Sequence, residues 1–177
     1  MEQLVSIQHV LFRSYANSAL SSLGFEQAND IRGILEKEQF WEKLGEHFIA
    51  CSPFKRARQT LEAIHPHLNR TLERVKLLHT LREATTYEST VNPLELDSRI
   101  GEFETWVMHC PAPTVVVVGH PLFFRRILRG SGIMRYTDVV KATLTINPEG
   151  ESRWSDSSLL FRSSLSKPPV NHEDMFH

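Results

Sequence analysis

Thr114 to Val118 is the segment that most constrains the fold, because Thr-Val-Val-Val-Val is β-branched throughout and apolar on both faces. Such a strand needs cover on both sides, so it belongs in the middle of a parallel sheet with helices above and below. It runs into Gly119-His120-Pro121, and an amphipathic stretch from about Leu122 to Leu128 follows as a helix.

The rest of the chain repeats that alternation. Leu4 to Ile7 is a short buried strand ending at Gln8-His9, and Val10 to Ala19 has no period and reads as a loop. Ser21 or Ser22 can cap a helix in which Phe25, Ala28, Ile31 and Leu35 share a face. His47 to Cys51 is strand-like, and Ser52-Pro53 offers an N-cap followed by proline at the first helical position. Ala57, Leu61, Ile64 and Leu68 then form one apolar stripe. Val75, Leu77 and Leu78 suggest another strand, and Ile100 to Met108 a helix. Ala142 to Ile146, the turn Asn147-Pro148-Glu149-Gly150 and Trp154 to Phe161 form a closing hairpin. The expectation is an α/β three-layer sandwich with a mostly parallel central sheet and helices on both faces. One domain spans 1–162, and 163–177, rich in Ser, Lys and Pro, reads as a flexible tail. Ligands of such sheets sit beyond the carboxyl ends of the strands. His9, Ser52 and His120 all fall at those ends.

Composition narrows the function classes. Twenty basic against twenty-one acidic residues leave a net charge of −1, without the basic excess that nucleic-acid binding needs. The longest apolar run, Val115 to Val118, is far short of the roughly 18 residues that span a membrane. The start, Met-Glu-Gln, lacks the basic and apolar regions of a signal peptide. Two cysteines, Cys51 and Cys110, make no disulfide framework, so a reducing, cytoplasmic setting is expected.

The segment Cys51-Ser52-Pro53-Phe54-Lys55-Arg56-Ala57-Arg58-Gln59-Thr60 closely resembles the Ser-Ser-Pro-x-x-Arg-Ala-x-x-Thr signature of the histidine phosphatase superfamily, which is phosphoglycerate-mutase-like. Leu20 to Ala28 is similar to that family's Leu-Thr-x-x-Gly-x-x-Gln-Ala helix start, Leu81-Arg82-Glu83 to its Leu-x-Glu acid motif, and Val116 to His120 to its second-histidine strand. The four occur in family order over roughly residues 4 to 130. The resemblance implies phosphomonoester hydrolysis through a phosphohistidine, without a metal or other cofactor. A neutral imidazole attacks phosphorus in line, cations neutralise the equatorial oxygens, and a carboxylic acid protonates the leaving oxygen. On this resemblance His9 is the nucleophile, Arg56 and His120 hold the phosphoryl group, and Glu83 is the acid. Arg56, one turn into a helix, also suits phosphate capture by its position near the positive end of the dipole. The compact chain is more like the short branch of the superfamily, whose substrates are phosphorylated small molecules or phosphoproteins, than like the mutases.

The first motif departs from the family pattern. Where the family has Arg-His-Gly after the first strand, this chain has Gln8-His9-Val10. A rival alignment puts Arg13-Ser14-Tyr15 on the motif, which keeps the arginine and replaces the nucleophile by Ser14. His9 is preferred because it follows the strand directly and leaves more room for a phosphate loop before Leu20. Gln8 in place of arginine implies a slow enzyme unless Arg13 or Arg58 supplies the missing cation. The same substitution, with Val10, supports a second expectation: an inactive module that binds a phosphorylated ligand or a protein partner.

Other residues have plainer readings. A cysteine-phosphatase loop, Cys-x5-Arg, fails on spacing because position 57 is Ala57, so Cys51 reads as buried and inert. His65 and His67 have metal-like spacing but no third ligand nearby, and read as surface residues. Arg125, Arg126 and Arg129 read as a solvated helix face. Phe123 and Phe124 read as core or, in a third view of the chain as an assembly subunit, as a partner surface.

Overall fold

A computed structural model of the chain describes residues 2–8, 17–65, 67–68, 72–85, 88, 91–128 and 135–166. A single six-stranded sheet organises them. Its strands are β1 (Glu2–Gln8), β2 (His47–Cys51), β3 (Val75–Leu77), β4 (Thr114–Gly119), β5 (Val139–Ile146) and β6 (Ser152–Phe161). Their spatial order is β3-β2-β4-β1-β5-β6. The first four are mutually parallel, while β5 runs antiparallel to both β1 and β6. All six residues of β4 are buried, as a strand apolar on both faces requires.

The helices are α1 (Ser22–Lys37), α2 (Phe40–Leu44), α3 (Lys55–Ile64), α4 (Pro93–Met108) and α5 (Pro121–Ile127). Ile49, Cys51, Val116 and Val118 face one core with α1, α2 and α3 residues such as Ile31, Trp41 and Leu61. Ala50, Val115 and Val117 face the other with Phe103, Phe123 and Phe124 from α4 and α5. The period-two alternation of β4 therefore feeds two separate cores, and the three-layer sandwich is the result.

Several local expectations shift. Ser21 caps α1, its hydroxyl accepting from the Gly24 amide at 3.1 Å. Phe25, however, is 38% exposed, because the buried arc runs through Gly24, Gln27, Ala28, Ile31 and Leu35 and Phe25 sits at its rim. The helix expected over Ile100 to Met108 starts at Pro93, whose missing N–H suits the first turn. Helix α2 had no legible signal. Phe123 and Phe124 are fully buried, which removes them as a partner surface. His65 is not a surface residue either: it is 6% exposed and its ring lies 4.2 Å from that of Trp41. Arg126 does lie at the surface, where it pairs with Asp97. Cys51 is fully buried, and burial pushes its thiol up to about 12.

The segment from Ser163 is fastened where it is described. Asp30 accepts from the Ser163 hydroxyl and the Ser164 amide, each at 2.8 Å, and Gln27 donates to the Leu165 carbonyl at 3.0 Å.

Candidate active site

The carboxyl ends of β2 and β4 meet at one point. The Ser52 amide donates to the Val118 carbonyl at 2.9 Å, which extends the β2–β4 ladder by one residue. Ser52 is not the helix cap its position before Pro53 suggests, since α3 starts at Lys55 with Phe54 as N-cap. Its hydroxyl instead lies 2.9 Å from His120 Nε2 and accepts from the Phe54 amide at 3.3 Å.

His120 ends β4 and is the N-cap of α5, with Pro121 at the first helical position. It is 1% exposed, and the Phe54 ring meets it edge-on at 5.4 Å. The preceding Gly119 leaves little room for a side chain. A Cβ there would stand 3.0 Å from two atoms of the Phe124 ring, and this close approach seats α5 against the strand.

Arg56, in the first turn of α3, is 2% exposed and lies over the Phe54 ring at 4.9 Å. Its Nη2 donates to Glu83 Oε2. Its Nε and Nη1 are buried and have no hydrogen-bond partner among the described residues. A buried guanidinium with two unmatched donors is a costly arrangement for a protein unless something else supplies the acceptors. Arg58 is exposed, two residues further along α3, and so faces away from Arg56.

Glu83 follows the short helical turn His79–Leu81 that succeeds β3. Its Oε2 is also 3.9 Å from His120 Nδ1. Burial raises its carboxyl above the ordinary 4.5, against the opposing pull of Arg56. A carboxyl that burial makes a weaker acid, beside a cation and a histidine, is suited to protonate a departing oxygen.

Arg56, Glu83 and His120, three residues singled out in the sequence, therefore come together at one end of the sheet. Ser52 joins them as the partner of His120. Its signal was its place at a strand's carboxyl end, while the Ser-Pro dipeptide there reads as a cap. Gln8 is the last residue of β1, and its Cα pairs with that of Gly119. His9, Val10, Arg13 and Ser14 lie outside the described residues. Among the described residues no group of three or more His, Cys, Asp or Glu side chains could hold a metal ion. No helix there is long and apolar enough to cross a membrane.

Residues 6–91 match the family model of the histidine phosphatase superfamily, branch 1. No curated protein matches the chain in sequence. Among solved structures, it is similar to mycobacterial glucosyl-3-phosphoglycerate phosphatase at 17% identity and a TM-score of 0.60, covering 92% of this chain and 99% of that one. The protein histidine phosphatase SixA, complexed with tungstate, is similar at 19% identity and a TM-score of 0.53, over 89% and 96% of the two chains. Phosphoserine phosphatase from Entamoeba histolytica, in complex with 3-phosphoglyceric acid, is similar at 14% identity and a TM-score of 0.58, over 89% and 97%. At these identities the structures speak for the fold. Residues 6–91 thus carry the match to the histidine phosphatase superfamily, branch 1, and the solved structures share the fold of the whole chain.

Proposed function

We propose that the chain hydrolyses phosphomonoesters through a phosphohistidine on His9, with no metal. The observation that carries this reading is the buried Arg56 guanidinium, two of whose nitrogens have no partner among the described residues, beside Glu83 and His120. A phosphoryl group offers oxygen acceptors of the kind those nitrogens can bind. His9 is bonded to Gln8, whose Cα pairs with that of Gly119, the neighbour of His120. The two histidines thus follow paired residues on adjacent parallel strands.

In the first step the neutral His9 imidazole attacks phosphorus, the bond to the ester oxygen breaks, and Glu83 gives its proton to that oxygen. Arg56 and His120 hold the non-bridging oxygens while charge builds on them. In the second step the Glu83 carboxylate takes a proton from water as its oxygen attacks phosphorus. The nitrogen–phosphorus bond breaks, inorganic phosphate departs, and His9 and Glu83 regain their starting forms. Gln8 supplies a neutral amide where the family has a guanidinium. The loss of one charge-assisted bond, worth about 1.5–3 kcal/mol, makes the enzyme slow. The substrate is a phosphorylated small molecule or a phosphoprotein.

The test is turnover of an aryl phosphate in the presence of a chelator, with His9→Ala alongside. Turnover that disappears in the variant supports the reading, and turnover that survives overturns the nucleophile. Gln8 and Val10 favour a second reading, a phosphate-binding module without catalysis. That reading expects no turnover but a higher melting temperature in phosphate.

A further inference from the structure

One buried arginine ties down the turn that carries Glu83. Arg99 projects from α4 and is 5% exposed. Its Nη1 donates to the carbonyls of Thr80 at 2.8 Å and Arg82 at 3.0 Å, and its Nε to Glu88 Oε1 at 2.9 Å. The Arg82 carbonyl belongs to the peptide that joins Arg82 to Glu83, so Arg99 grips the backbone directly before the acid. Glu88, 2% exposed, closes the far side of the turn. Its Oε1 also accepts from Arg82 Nη2 and its Oε2 from the Thr85 amide, both at 2.8 Å. The Arg99 guanidinium further lies 5.7 Å from the ring centre of Phe123, on the helix that His120 begins.

We propose that Arg99 is a positioning residue for the reaction: through the Thr80 and Arg82 carbonyls it sets where the Glu83 carboxyl stands relative to Arg56 and His120. This rests on the reading of Glu83 as proton donor. The arrangement is more specific than stability alone calls for. A buried ion pair contributes little net stability over an apolar replacement, yet here a planar fork serves two carbonyls flanking Leu81 and one carboxylate at once. A lysine ammonium cannot reproduce that geometry.

The test compares kcat/KM for phenyl phosphate, whose phenoxide needs a proton to leave, with dinitrophenyl phosphate, whose leaving group departs unaided. Glu83→Gln is expected to slow phenyl phosphate by about 10²–10⁴-fold and dinitrophenyl phosphate far less. Arg99→Lys is expected to reproduce that selectivity at roughly 10–100-fold, with inhibition by inorganic phosphate unchanged. If Arg99→Lys does not fold, Glu88→Gln, which loosens the same turn with an isosteric side chain, decides by the same selectivity. Equal loss on both esters, or no loss, in a folded Arg99 or Glu88 variant beside a selective Glu83→Gln overturns the positioning role alone. An unselective Glu83→Gln, or no turnover by the unmodified protein, overturns the proton-donor reading and the role of Arg99 with it.

Discussion

Ser52 Oγ and His120 Nε2 lie 2.9 Å apart, with both residues almost completely closed off from solvent. The serine ends β2 and the histidine ends β4, so this contact locks two adjacent parallel strands together at the edge of the candidate site. It also occupies one ring nitrogen and leaves Nδ1 on the side of Glu83.

Removal of that hydroxyl takes the partner from a buried polar atom. Ser52→Ala is expected to lower stability by about 1–3 kcal/mol, measured by urea unfolding, and to lower turnover as His120 loses its orientation. Unchanged stability would mean that the contact carries no net energy.

Arg56→Met keeps an unbranched apolar stem and removes the guanidinium donors. In the unmodified protein, phosphate is expected to raise the melting temperature by binding the folded state alone. The variant is expected to lose that response. Its Glu83 carboxyl should also titrate higher, because Arg56 is the group that pulls it down.

Glu83 gives the pH dependence. Its folded value lies above the ordinary 4.5, so the folded state holds this proton more tightly than the unfolded chain does. The contribution to stability is complete below 4.5 and is lost as pH rises through the folded value. For an ester with a poor leaving group, kcat/KM is expected to fall over the same rise, as the proton donor ionises. Glu83→Gln should flatten that limb of the pH–rate profile.

His65 gives an opposite dependence away from the site. Burial against Trp41, together with nearby His47 and His67, lowers its ring from 6.5 to about 4, and its Nδ1 accepts from the His67 amide at 3.2 Å. The unfolded chain therefore binds this proton more readily. The contribution is complete above 6.5 and is lost as pH falls through about 4. His65→Phe, which keeps a ring on Trp41, is expected to remove about 1–3 kcal/mol of acid destabilisation across that window, measured by unfolding at several pH values.

The parts of the fold that read clearly in sequence are those with a strong local pattern. The valines of β4, the capped start of α1 and the Asn147–Gly150 turn each announce themselves within a few residues. Helix α2 is five residues long, too short to show a period. The first half of α4 was hidden because it carries a mixed charged pattern, Glu95, Asp97 and Arg99, rather than an apolar stripe. Tertiary partners were the other loss. Nothing near His65 points to Trp41, so it read as surface; Ser52 was legible as a strand-end neighbour of His120, but its hydroxyl read as a helix cap and not as the partner of the imidazole. Within the site, Arg56, Glu83 and His120 were legible because each sits in a short motif at a strand or turn end. Arg99 was not, since its role depends on carbonyls that carry no sequence signal.

The phosphohistidine is tested by mixing the protein with an aryl phosphate, quenching in alkali and locating any phosphorylated residue by peptide mass spectrometry. An acid-labile phosphoryl group is expected on His9 and is expected to be absent from His9→Ala. A phosphoryl group on His120 or Ser14, or turnover with no phosphorylated residue, would contradict the His9 nucleophile.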